Sequence, residues 1–152
     1  MPTYDFTKGS LAVDCRDYGR FFVARIPIVV SEIIASDATL KAAGKITAAD
    51  IIQLWDVPAM TVIMVSQMAL KIVVAGTAGN TVDVGLAGGV EAFSGVSIAT
   101  AAAGFTVNDD ATWGTDNYGG ILFATTDTID MQFIADETVG EMVLYIPGYM
   151  LD

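Results

Sequence analysis

Apolar and polar residues alternate along much of this chain, at the period of a β-strand rather than of a helix. Thr128-Ile-Asp-Met-Gln-Phe133 sets Ile129, Met131 and Phe133 on one side and Asp130 and Gln132 on the other. Glu141 to Pro147 does the same with Met142, Leu144 and Ile146. In Thr81-Val-Asp-Val-Gly-Leu86, Val82, Val84 and Leu86 oppose Asp83. Thr61 to Ala75 is the longest β-like stretch, with Met64, Met68, Leu70, Ile72 and Val74 facing the core and Gln67 and Lys71 facing away. The turn Gly76-Thr-Ala-Gly-Asn80 predicts a hairpin between those last two segments. Phe21 to Val30 is aromatic and β-branched; Pro27 inside it predicts an edge position or a bulge, because proline has no N–H for the ladder.

Between these runs the chain is less regular. Residues 1–20 have no sustained period and read as an arm or edge segment. Glu32 to Gly44 fits a short helix or an irregular connection. Thr47-Ala-Ala-Asp50 has the form of a capping box, but Ile51 to Pro58 is too short for a helix and suits a strand. Gly88 to Gly104 reads as a long small-residue connection with one helical turn. Asn108 to Gly120 reads as a loop holding Trp113 and Tyr118, and Gly120 to Ala124 as a short strand. Ala135 to Gly140 turns the chain back. The sum is a mostly β chain of seven or eight strands in two packed antiparallel sheets, a jelly-roll-like sandwich over residues 21–152 with an N-terminal arm over 1–20.

Composition adds a surface to this fold. Hydrophobic residues are 53% and charged residues 16%, with a mean hydropathy of +0.56. Soluble chains average about 45–50% and about 25%. A domain of this length cannot bury every apolar side chain, so contiguous apolar patches should remain outside, where partners dock. Homo-oligomerisation is expected. The uncharged stretch from Val57 to Leu70 is too short for a membrane helix, and the N-terminus lacks the pattern of a secretory signal. A net charge of −11, with no basic cluster, argues against nucleic acid. Cys15 has no partner for an intrachain disulfide and reads as a buried thiol.

The chemistry is sparse. Without histidine the usual triads, common zinc sites and the neutral-pH general base are missing. Gly76-Thr-Ala-Gly-Asn80 and Gly85-Leu-Ala-Gly-Gly89 lack the Lys-Ser/Thr of a phosphate loop. Asn108, Asp109, Asp110, Asp116 and Asn117 miss the EF-hand spacing and read as a solvated loop. Asp127, Asp130, Asp136, Glu137 and Glu141 read as turn and surface charge rather than glycosidase carboxylates. Met60, Met64, Met68 and Met142 read as core filler. Trp113 and Tyr118 suit a protein interface or a sugar ring, and the composition favours the interface. No catalytic, cofactor or metal site is expected.

The order Ile46-Thr-Ala-Ala-Asp-Ile-Ile-Gln-Leu54, Asp56-Val-Pro58, Asn80-Thr-Val-Asp-Val-Gly85, Asp127-Thr-Ile-Asp-Met-Gln-Phe133 and Gly140-Glu-Met-Val-Leu-Tyr145 resembles the capsid decoration, or cement, proteins of tailed bacteriophages. The resemblance spans Ile46 to Pro147 and rests on strand-and-turn patterns. It departs from the family after Pro58, where Ala59-Met60-Thr61 stands in place of an early glycine. It implies a trimeric β-sandwich on the outer capsid surface of the virion, bound to the major capsid protein and reinforcing junctions between its subunits. On that reading Phe6, Tyr18, Phe21 and Phe22 anchor the arm on a neighbour, and deleting residues 1–20 weakens binding while the sandwich stays folded. Two other readings stand beside it: a carbohydrate- or receptor-binding module using Trp113 and Tyr118, and a tail or connector component.

Overall fold

A computed structural model describes residues 3–5, 14–18, 21–86, 90–99, 106–107 and 120–151. Strands follow the alternating runs because each can bury one face only against a second sheet. The first sheet holds β1 (Thr3–Asp5), β4 (Ile51–Val57), β7 (Thr81–Leu86), β8 (Val90–Ser97) and β11 (Asp127–Phe133), in the order β1-β4-β11-β7-β8. The second is built on β2 (Asp14–Tyr18), β3 (Phe21–Val29), β5 (Thr61–Ile63), β10 (Ile121–Phe123) and β12 (Glu141–Met150), in the order β10-β5-β12-β3-β2. Strand β6 (Ala69–Val74) also pairs with β12 and carries β9 (Thr106–Val107) on its other side. Pairing is antiparallel except for β1, which runs parallel to β4.

This pairing is a jelly roll. Within the series β3, β4, β6, β7, β8, β9, β11, β12, the second sheet pairs first with eighth, eighth with third and third with sixth. The first sheet pairs second with seventh, seventh with fourth and fourth with fifth. These are the two Greek keys of that architecture. Ile26, Ile28, Leu70, Leu144 and Ile146 from one sheet meet Ile52, Leu54, Val82, Met131 and Phe133 from the other in one core cluster. Among the described residues β2 pairs with Phe21 to Arg25 and none pairs with that side of β3 beyond Arg25, which is where Pro27 lies.

Between β3 and β4 lie two short helices, α1 (Val30–Ser36) and α2 (Ala38–Ala43). The Asp37 carboxylate caps α2 by accepting from Thr39 and Leu40 N–H at 2.8 and 3.0 Å. Gly44 ends it at φ 68°. At the capping-box look-alike no helix starts. Asp50 instead accepts from the Thr47 N–H at 2.8 Å and closes a turn into β4.

Several expectations are corrected. Thr61 to Ala75 is not one strand: a 3₁₀ turn at Val65–Gln67 separates β5 from β6, and both lie along the same edge of β12. The hairpin across Gly76–Asn80 does not exist, because β6 and β7 belong to different sheets. Period-2 patterns give each strand's face but not its partner. Val90 to Ser97, read as connection, is a strand that pairs with β7 through Val90, Glu91, Phe93, Val96 and Ser97, with register shifts between them. Described strands number twelve rather than seven or eight. Among the described helices, none is long and apolar enough to cross a membrane.

Candidate protein-interaction surface

The two sheets present opposite chemistries to the outside. In β3, Ala24, Ile26 and Ile28 point inward, so Phe21, Val23, Arg25 and Pro27 point out. Their register partners on β12 are Tyr149, Pro147, Tyr145 and Val143. Continuing across the sheet, Tyr149 pairs with Val62, and Val62 with Leu122. A transverse row Leu122–Val62–Tyr149–Phe21 results. Phe21 is 60% exposed, and its ring meets Tyr149 at 5.6 Å and 56°. Val62 and Val143 are buried yet stand outside the core cluster.

The outer face of the first sheet carries Gln53, Asp56, Thr81, Asp83, Thr128, Asp130 and Gln132. Gln53 donates to the Thr128 hydroxyl at 3.3 Å, and Gln132 to the Ala48 carbonyl at 2.8 Å. Charge follows the same division. Strands of the first sheet contain Asp5, Asp56, Asp83, Glu91, Asp127 and Asp130 and no Lys or Arg. Strands of the second balance Asp14, Asp17 and Glu141 against Arg16, Arg25 and Lys71.

Asp130 corrects the expectation of a surface charge. A bulge next to it and flanking strands on both sides leave it 7% exposed, with Oδ1 unpartnered. Burial raises its pKa, the Thr128 hydroxyl opposes that, and Asp127 adds to it.

Glu137 is the larger correction. Expected in an exposed turn, it is 0% exposed. Its carboxylate accepts from the Thr77 hydroxyl at 2.6 Å, the Thr77 N–H at 3.0 Å, the Asn80 amide at 3.0 Å, and the Thr138 and Val139 N–H groups at 2.9 and 3.2 Å. Its own backbone exchanges two bonds with Ile46, while Gly76 and Asn80 bond to Ile98. Four crossings between the sheets therefore converge here: before β4, between β6 and β7, after β8, and between β11 and β12. Beside it Asp136 forms an ion pair with Lys45 at 2.6 Å.

Of the anchors read from sequence, Phe21 is exposed. Phe22 packs on the core with its ring edge-on to Trp55 at 5.8 Å and 76°. Tyr18 is the register partner of Phe21, its side chain lying outside the described residues. Phe6, Trp113, Tyr118 and the Asn108 to Asn117 loop also lie outside them, as does the side chain of Cys15. Met68 and Met142 fill the core as expected, whereas Met60 and Val74 are exposed. Among the described residues no group of three or more Cys, Asp or Glu is placed to hold a metal. Glu137, read as turn and surface charge, and Met60, read as core filler, are placed the other way round, because no local pattern marks the one as buried or the other as exposed.

No protein-family model matches the chain, and no curated protein does. Solved structures do match. A chain in the capsid of Ralstonia phage GP4 aligns over 99% of this chain and 98% of its own, with a TM-score of 0.56 and 16% identity. A chain in the cyanophage Pam1 capsid asymmetric unit aligns over 99% and 100%, with a TM-score of 0.53 and 16% identity. The fold is shared with chains of two phage capsids. Coverage is near complete in both directions, so those chains are about as long as this one.

Proposed function

We propose that this chain is a non-enzymatic virion structural protein, a trimer that binds the outside of a tailed-phage capsid and reinforces junctions between major capsid subunits. The observation that carries the reading is the division of the surface, an acidic polar sheet backed by a charge-balanced apolar one. A protein seated on a shell needs one face for the shell and one for water. The outer face of the second sheet meets the capsid, with Phe21, Tyr145 and Arg25 in the contact, and the acidic first sheet faces solvent. Aromatic residues and arginine are the side chains that interface cores favour. The end-to-end match with chains of two capsids supports the setting. Phe6 and Tyr18, with Trp113 and Tyr118, complete the contact on this reading, while Phe22 serves the core behind it.

Removing residues 1–20 takes away β1 and β2 along with the arm, so a point change separates binding from folding more cleanly. Phe21→Asp alters an exposed side chain, and its effect on stability should stay within about 1 kcal/mol. Added to particles of the encoding phage that lack the chain, the variant should be retained at least tenfold less than the parent. Equal retention would remove this face from the contact.

A further inference from the structure

Arg25 is exposed and is the middle one of the outward positions of β3, with Phe21 and Val23 before it and Pro27 and Val29 after it. Its register partner on β12 is Tyr145, whose partner on β6 is Ala69. The rows on either side are apolar where they cross β12, Val23 lying opposite Pro147 and Pro27 opposite Val143. Among the described side chains of this face there are two cations, Arg25 and Lys71, the latter in register with Val143. The carboxylate among them is that of Glu141, opposite Val29 at the end of the strand. In a chain of net charge −11, cations therefore outnumber carboxylates here, and a guanidinium stands in the middle of an aromatic and apolar field. Asp14 is the register partner of Arg25 on the edge strand β2, its side chain lying outside the described residues.

We infer that the shell surface received by this face carries a carboxylate opposite Arg25; the inference rests on the capsid-binding reading above and names the chemistry of its partner. A contact that covers Phe21 and Tyr145 also covers Arg25, which lies on the same strand as the one and in register with the other. The guanidinium cannot give up its charge. Covering it without an acceptor is strongly unfavourable, so a stable contact has to supply one. The described residues of this chain do not: the ion pair they form is that of Lys45 with Asp136, at the far end of the sandwich. A carboxylate matches the planar fork of arginine with two parallel hydrogen bonds, which fixes register as well as adding attraction. The same chemistry decides which sheet turns to the shell. An acidic shell surface repels the first sheet and draws in the second.

The test adds the full chain to particles that lack it, across a salt series, with Arg25→Gln, Asp14→Asn and Lys41→Gln beside the parent and Phe21→Asp. Lys41 is exposed on α2, so Lys41→Gln makes the same change of charge away from this face. Arg25→Gln and Lys41→Gln alter exposed side chains and should melt within about 3 °C of the parent. Retention of the parent should fall as salt rises. At low salt Arg25→Gln should be retained at least tenfold less than the parent, with a flatter salt dependence. Lys41→Gln and Asp14→Asn should be retained as the parent is. Parental retention of Arg25→Gln, with Phe21→Asp lost, would overturn the carboxylate and leave the capsid face standing. So would a loss in Asp14→Asn equal to that in Arg25→Gln, which would put the acceptor in this chain. An equal loss in Lys41→Gln would overturn it too, by reducing the effect to net charge. Full retention of both Phe21→Asp and Arg25→Gln, or a parent not retained at any salt, would remove the face and this inference together.

Discussion

Glu137→Ala is expected to lower stability by about 3–5 kcal/mol, since several buried neutral donors lose the one charged acceptor they share, at about 1–3 kcal/mol for each left unsatisfied and part of that recovered by relaxation. Alanine would leave the Thr77 hydroxyl and N–H, the Asn80 amide and two further backbone N–H groups facing a void. For a domain of this length the melting temperature should fall on the order of 10 °C. The loss is global because the four sheet crossings meet at this residue. The pH dependence has a definite sign. Burial pushes the Glu137 carboxyl up, but bonds from the Thr77 hydroxyl and N–H, the Val139 N–H and the Asn80 amide outweigh it, and the pKa is lowered. Its stabilisation is therefore complete above the unfolded glutamate value of about 4.3 and is lost as pH falls through the lower folded value. Asp136, held down chiefly by its bond from Lys45, acts in the same direction. Asp130, raised by burial, acts in the opposite one. Thermal melts between pH 7 and pH 2 should show a steep acid loss in the parent and a shallower one in Glu137→Ala. Equal slopes and equal melting temperatures would mean that the carboxylate does not fasten the crossings.

Gly148→Ala is expected to destabilise by about 3 kcal/mol although it adds a single methyl group. A Cβ at Gly148 would lie 2.5 Å from the Val62 carbonyl oxygen and 2.7 Å from Cζ of Phe22. Phe22 can give way only by losing its edge-on contact with Trp55, and the Val62 carbonyl is backbone. The cheapest relief is to push β5 away from β12, which loosens Gly148 to Met150 from Ile63 to Thr61. Overpacking a close contact of this kind lies at the upper end of its usual 1–3 kcal/mol. Denaturant unfolding measures it: the midpoint should drop with the slope unchanged. A midpoint equal to the parent's would mean that β5 and β12 have room to separate.

How much of this was legible in the sequence depended on the range of the interaction. Strand faces were legible because burial writes a period of two directly into the residues: Ile129, Met131 and Phe133 are buried as read, and so are Met142, Leu144 and Ile146. Pairing was not. Gly76 to Asn80 has the composition of a hairpin turn, but Asn80 bonds to Ala135 and Glu137, some 55 residues away, and the chain crosses to the other sheet. Nothing local in Gly76–Asn80 encodes that partner. Glu137 looked like any turn carboxylate because its donors come from Thr77, Asn80 and its own successors, a cage that exists only after folding. Val90 to Ser97 escaped because glycine, alanine and serine lower strand propensity, and pairing with β7 overrides that. The excess of apolar residues did forecast exposed apolar surface, but not where on the sheets it lies.

Counting this chain in purified virions tests the central claim most directly. Gradient-purified particles of the phage proposed to encode this chain would be analysed by quantitative mass spectrometry, with surface labelling of intact heads before lysis. A cementing role predicts copies in a fixed ratio to the major capsid protein, in numbers of the same order, and labelled on the outside. Absence from clean particles, or a few copies confined to one vertex or the tail, would contradict it.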